Sequence, residues 1–255
     1  MDVGMGAGVG TAGPGVVKPA ARRWRGDRLF FTGMALLMAL TVFAGFAPTY
    51  FLKSAFDTPA LSPVLHVHGL LFTTWILLFV LQTGLVAARR TDLHRRLGVG
   101  GAILAAAMLI AGPAAAIESV QRGFTPPGGP PPLVFFVIPM TDMAMFLALV
   151  ASGLYNRRRS DMHKRLLLLA TINLMTAPIA RLPGVVSGGV LAFFALTDLL
   201  VLACFAYDRA SRGRIHPAFL WGGLALIASQ PLRLMLGGTD AWLAFARWAT
   251  GVGGS

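Results

Sequence analysis

Charged residues are scarce in this chain of 255 residues. They make up 13% of it, where a water-soluble domain carries about 25%. Hydrophobic residues make up 56% and the mean hydropathy is +0.70. Too little polar surface remains to coat a soluble globule, so that class is excluded. The single cysteine, Cys204, excludes an internal disulfide and any cysteine-based metal centre. No phosphate-binding glycine loop, Gly-x-Ser-x-Gly elbow or His-Glu-x-x-His motif is present. The last apolar run has no lysine to carry retinal, and no run has two histidines spaced to grip a pair of haems.

Acidic residues are few as well: 10 against 22 lysines and arginines, for a net charge of +12 and a pI near 11.5. Such an excess points first to nucleic acid, but its distribution points elsewhere. Apolar runs of about 20 residues can cross a bilayer as helices. Seven follow one another, at 29–47, 64–88, 97–117, 133–155, 164–182, 185–207 and 218–236. With the N-terminus inside, 17 of the 22 basic residues fall in cytoplasmic segments. Lys53, Arg122, Arg181, Arg233 and Arg247 remain in or beside the outer ones. That asymmetry is the positive-inside pattern.

The expected fold is therefore an all-α bundle of seven transmembrane helices in a cytoplasmic (inner) membrane, N-terminus inside and C-terminus outside. Residues 1–28 read as a disordered basic cytoplasmic tail, 29–236 as the transmembrane domain and 237–255 as a short outer segment. The tail lacks the basic-then-apolar order of a cleavable signal peptide. The expected partners are the lipid bilayer, anionic headgroups at the inner face and a further membrane protein. No stretch between the runs is long enough to form a basic nucleic-acid-binding domain.

An inner loop is repeated. Arg89-Arg90-Thr91-Asp92-Leu93-His94-Arg95-Arg96-Leu97 aligns without gaps on Arg158-Arg159-Ser160-Asp161-Met162-His163-Lys164-Arg165-Leu166, with six of nine positions identical. A degraded third copy spans Arg212-Gly213-Arg214-Ile215-His216-Pro217. Each copy joins an inward-running helix to an outward-running one, giving a leading helix and three related hairpins. Thr91/Asp92 and Ser160/Asp161 are expected to cap the helices that follow. His94 and His163 then fall in first turns at headgroup depth, either as interfacial hydrogen-bonding residues or as a joint site.

Ionisable groups within the hydrocarbon region are costly, and each is a candidate site residue. Asp142 and Asp198 lie near mid-depth, Asn173 lies half-way along the fifth run, and Arg181, Gln230 and Arg233 lie in the outer part. Lipid-facing positions would be prohibitive, so these residues should converge inside the bundle as a ligand site or as an ion-pair network that fixes packing. His66 and His68 lie in the outer turns of the second run, about 200° apart on a helix, so one faces inward and the other does not. His68, Trp75 and Gln82 recur every seven residues and share a face. All five histidines, His66, His68, His94, His163 and His216, lie near a membrane boundary. Neutral imidazole suits haem iron, copper or zinc, which makes haem or a metal ion the candidate cofactor.

The stretch His68-Gly69…Trp75…Leu78-Phe79…Gln82…Leu85-Val86, running into Asp92-Leu93-His94-Arg95-Arg96-Leu97-Gly98, resembles a family of uncharacterised bacterial polytopic membrane proteins. So does the stretch from His163-Lys164-Arg165-Leu166 through Ala180-Arg181-Leu182-Pro183. The resemblance covers about half the chain and implies a bacterial membrane protein without an assigned activity. The histidines at helix ends are also loosely similar to those of cytochrome b561-type haem proteins, from which this chain departs in helix count and histidine pairing. Three functional classes follow: a membrane redox, metal or haem protein, on the histidines; a transporter or small-ligand binder, on the acid/base cluster; and a non-catalytic assembly subunit.

Overall fold

The computed structural model describes residues 20–126 and 129–253, and among them every regular element is helical. Six helices are long and apolar enough to cross a membrane. They comprise α1 (Ala20–Phe46), α2 (Pro63–Ala87), α3 (Thr91–Gln121), the stacked pair α4 (Pro132–Phe135) and α5 (Val137–Tyr155), α8 (Gly189–Arg212) and α9 (Pro217–Gly237). Their large apolar side chains face outward as well as inward: Leu40, Leu70, Leu77, Ile103, Ile110, Leu199 and Met235 are exposed. So large an apolar exterior is not that of a water-soluble monomer, and it fits a hydrocarbon solvent.

Local chemistry sets the ends. The Ser62 hydroxyl accepts from Leu65 N at 3.2 Å, with Pro63 in the first turn of α2. Pro132 opens α4 in the same way. The expected caps of the repeated loops do not form. Helices α3 and α6 (Ser160–Asn173) follow Arg90 and Arg159 without a side-chain cap, and Asp161 instead accepts from Arg212 at 3.0 Å. Helix α1 already begins at Ala20, so the basic cluster at 20–28 is helical, while residues 1–19 of the expected tail lie outside the described residues. The segment after 237 contains a further helix, α10 (Asp240–Thr250). It is amphipathic: Trp242 is buried and donates to the Leu133 carbonyl at 2.9 Å, while Trp248 is exposed.

The alanine- and glycine-rich α3 is shaped by packing. Gly101, Ala105, Met108, Ala111, Gly112, Ala115 and Ala116 form its buried face. A Cβ on Gly112 would lie 2.5 Å from the Met143 sulfur, so the small residue permits close approach to α5.

The fifth apolar run departs most from expectation. It forms α6 and a single turn, α7 (Thr176–Ile179), neither long enough to cross a membrane alone. Pro178 explains the break: it has no N–H for the Leu174 carbonyl, and its ring crowds that group. The chain tightens there, with Leu174 N donating to Thr171 O at 3.1 Å and Met175 N to Ile172 O at 2.9 Å. From Arg165 to Ile179 only Leu167 and Ala177 escape burial. The segment buries every side because it is enclosed by other helices. Helix α1 crosses it so closely that a Cβ on Gly45 would meet the Pro178 carbonyl oxygen.

The N-terminal end of α6 carries a fully buried ion pair. Arg165, the largest fully buried side chain, donates from Nε to Asp208 Oδ2 at 2.9 Å and from Nη2 to Asp208 Oδ1 at 2.5 Å. Around it, Lys164 and Tyr207 both bond Asp27, Arg212 bonds Asp161, and His216 N donates to Asp208 Oδ2 at 3.0 Å. Removing one partner of such a pair leaves a buried charge and typically costs about 3–5 kcal/mol. Asp208→Ala is therefore expected to lower the melting midpoint of the detergent-purified protein sharply. The double change Arg165→Met, Asp208→Leu should recover most of that loss. Equal losses for the single and double variants would show that the pair itself, not its burial, supplies the stability.

Candidate functional site

Where α6 breaks, polar side chains from four helices meet. Asn173, the last residue of α6, donates from Nδ2 to the Asp142 backbone carbonyl at 2.8 Å. The Asp142 carboxylate accepts from Arg233 Nη1 at 2.5 Å. Arg233 is held from behind by Ser229, to whose hydroxyl Nη2 donates at 2.7 Å, and it lies over the Phe194 ring at 5.5 Å. On α8, Asp198 accepts from Gln230 Nε2 at 2.7 Å. Asp142, Asn173, Gln230 and Arg233 are buried, and Asp198 is half-buried.

These five residues surround a small hollow together with Thr176, Thr197, Val201 and Leu226. It has room for about one water molecule. Five of the six residues in the expected cluster are thus brought together. Arg181 is not among them: it bonds the Ala177 carbonyl at 2.8 Å and lies over the Phe46 ring at 4.7 Å. The break at Pro178 ends the helical path that would have carried residue 181 onto the face of Asn173.

The histidines divide. His66 is exposed beside Tyr50, whereas His68 turns inward against Phe72, with ring centroids 4.1 Å apart. Trp75, on the same face, donates to the Thr171 hydroxyl at 3.3 Å. His66 and His68 thus make no joint site. His216 is an N-cap: its Nδ1 accepts from Ala218 N at 3.1 Å. Burial, with the Arg165 charge next, pushes its pKa below the usual histidine range, which keeps that nitrogen free to accept. His94 and His163, equivalent in the two repeats, do meet, with ring centroids 6.2 Å apart. His163 Nδ1 bonds the Gly153 carbonyl at 2.8 Å, while His94 Nδ1 is buried without a partner among the described residues. Two imidazoles do not complete a metal centre, and among the described residues no three His, Cys, Asp or Glu side chains are grouped to hold one.

The network of Asp27, Lys164, Arg165, Tyr207, Asp208 and Arg212 was not anticipated. The sequence carries a partial signal: Asp27, Asp161 and Asp208 are acids set among basic clusters, but so is Asp92, which pairs with its exposed neighbour Arg90.

Comparison with known proteins finds no match among family models, curated proteins or solved structures.

The geometry makes Asp142 and Arg233 one unit, separate from Arg181. A double-mutant cycle of Asp142→Asn with Arg233→Met should give a coupling of at least about 1 kcal/mol in thermal or denaturant unfolding. The same cycle of Asp142→Asn with Arg181→Met should be additive within about 0.5 kcal/mol. Coupling to Arg181 of similar size would contradict the arrangement.

Proposed function

We propose that this chain is a multi-pass transport protein, crossing the membrane seven times with its N-terminus inside, that moves a small solute through the polar cluster at the α6–α7 break. The seventh crossing is the broken α6–α7 segment itself: the 20 residues of 160–179 at 1.5 Å each extend about 30 Å, the thickness of the hydrocarbon core. The orientation rests on the basic residues, 17 of 22 on the inner side. With Cys204 replaced by serine, an impermeant maleimide should label Ser54→Cys and Gly238→Cys in intact cells. Ser160→Cys should label only after permeabilisation. The reverse pattern overturns the orientation.

One observation carries the transport reading: a buried helix interrupted at mid-bundle, with charged and amide side chains gathered around a hollow at the interruption. Broken helices are tolerated at membrane depth where they line a cavity, and binding sites of secondary transporters are commonly formed there. The ionic network at the inner ends of α1, α6 and α8 fits the same reading, because it closes the inner side beneath the hollow. A metal or haem centre has the His94–His163 pair and the buried His68 Nδ1 behind it, and these lie apart. An assembly role has only the apolar exterior, which lipid covers equally well.

Vesicles reconstituted with the purified protein and offered amino acids, organic acids, sugars and amines should accumulate at least one class. Asp198→Asn and Asn173→Ala should each reduce that uptake about tenfold or more, a loss of roughly 1.4 kcal/mol. No uptake across the panel, or uptake unchanged in both variants, overturns the reading.

A further inference from the structure

We infer that the hollow at the α6 break is a sodium-ion site. The first ground is charge. Asp142 and Arg233 neutralise one another, but among the described residues the only partner of Asp198 is the neutral Gln230 amide. The lining therefore holds one uncompensated negative charge, in a region where an unpaired carboxylate is strongly disfavoured. A single monovalent cation balances it; a divalent ion would leave an excess of positive charge.

The second ground is the direction of the hydrogen bonds. Each neutral polar side chain of the lining donates to the protein. Asn173 Nδ2 donates to Asp142 O at 2.8 Å, Gln230 Nε2 to Asp198 Oδ1 at 2.7 Å, Thr176 Oγ1 to Asn173 O at 3.2 Å and Thr197 Oγ1 to Phe193 O at 2.8 Å. What these bonds leave unused are oxygen lone pairs: Asn173 Oδ1, Gln230 Oε1, both threonine hydroxyls and Asp198 Oδ2. A carboxylate with several neutral oxygens around a space of one water is the donor set of a hard cation. The amide orientations follow from their partners: the Asp142 backbone carbonyl can only accept, and so can Asp198 when it is ionised.

The third ground is the backbone. Helix α6 ends at Asn173, so the negative end of its dipole lies beside the hollow. Ends of this kind in broken transmembrane helices coordinate sodium in transporters. A proton would satisfy Asp198 alone and give the four neutral oxygens no role. A carboxylate is a strong-field oxygen ligand, which favours the smaller, harder sodium ion over potassium.

This inference names the coupling ion of the transport reading, but ion binding is measurable whether or not a solute moves. Detergent-purified full-length protein is compared in sodium, potassium and choline chloride at equal ionic strength. Sodium should raise the melting midpoint by a few degrees over choline, as a ligand that binds only the folded state does. Potassium should do so much less, and radioactive sodium should bind at about one ion per chain. Asp198→Asn should melt higher than the wild type in choline, since it removes the uncompensated charge, and should show no sodium shift. Thr197→Val, which leaves every charge in place, should melt as the wild type in choline and bind sodium about tenfold more weakly.

Equal melting in sodium and choline, or a sodium shift that survives Asp198→Asn, overturns the site. A midpoint that follows pH but not sodium makes Asp198 a proton carrier and overturns it equally. Sodium binding without uptake of any solute leaves the site standing and removes the transport reading. Uptake that persists in choline, without sodium binding, does the opposite.

Discussion

The rest of the bundle depends on the burial of Arg165 against Asp208. A guanidinium with no exposed surface is tolerable only when its charge is matched and its donors are used. Both oxygens of Asp208 and the Asp161 carbonyl do this. The pair fixes where α6 begins relative to α8, and Arg165 also lies over the Phe219 ring at 5.1 Å, which ties in α9. Its outer neighbours, Lys164 with Asp27 and Arg212 with Asp161, add α1 to the same knot. A short apolar helix in lipid has no hydrophobic drive toward its neighbours, because lipid tails are as apolar as they are. Charge matching and close packing supply what holds α6 in the centre.

The other end of α6 is set by a different constraint. Pro178 interrupts the helix, and an interruption inside a membrane must find partners for the groups it frees. Here polar side chains provide them: Asn173 reaches the Asp142 backbone, and Thr176 reaches Asn173 O. The break and the polar cluster therefore belong to one feature. A straight helix in this position would need neither the amide nor the hydroxyl.

Much of this was legible in the sequence, because in a membrane the cost of a misplaced charge is high enough to read from one residue. Asp142, Asn173, Asp198, Gln230 and Arg233 stand in apolar runs where only mutual contact makes them affordable, and they are in contact. Arg181 stands in the same run as Asn173, yet periodicity assumes an unbroken helix, and Pro178 breaks it. The Arg165–Asp208 pair was hidden for the opposite reason. Both residues sit in basic segments that read as membrane-boundary anchors, and nothing in a run of basic residues says which of them turns inward. The caps expected at Thr91 and Ser160 did not form because both residues are already the first helical residue, after Arg90 and Arg159, and Asp161 is taken by Arg212. Helix α10 was missed because its apolar residues lie on one face, which average hydropathy does not register.

The net charge of +12 gives little idea of the charge balance within the bundle. Arg165 is matched by Asp208 and Arg233 by Asp142, so these pairs contribute nothing to the field at the hollow beyond their dipoles. Two charges at membrane depth make no ion pair among the described residues: Arg181, beside Phe46, and Asp198, beside Gln230. Arg181 lies at the end of the broken segment, where the Phe46 ring and the Ala177 carbonyl face its charge. Asp198 has a short side chain midway along α8 and faces no cation of its own. Its charge must be removed by a proton or balanced by a bound cation, and the oxygens of Asn173, Thr176, Thr197 and Gln230 around the same hollow favour the cation.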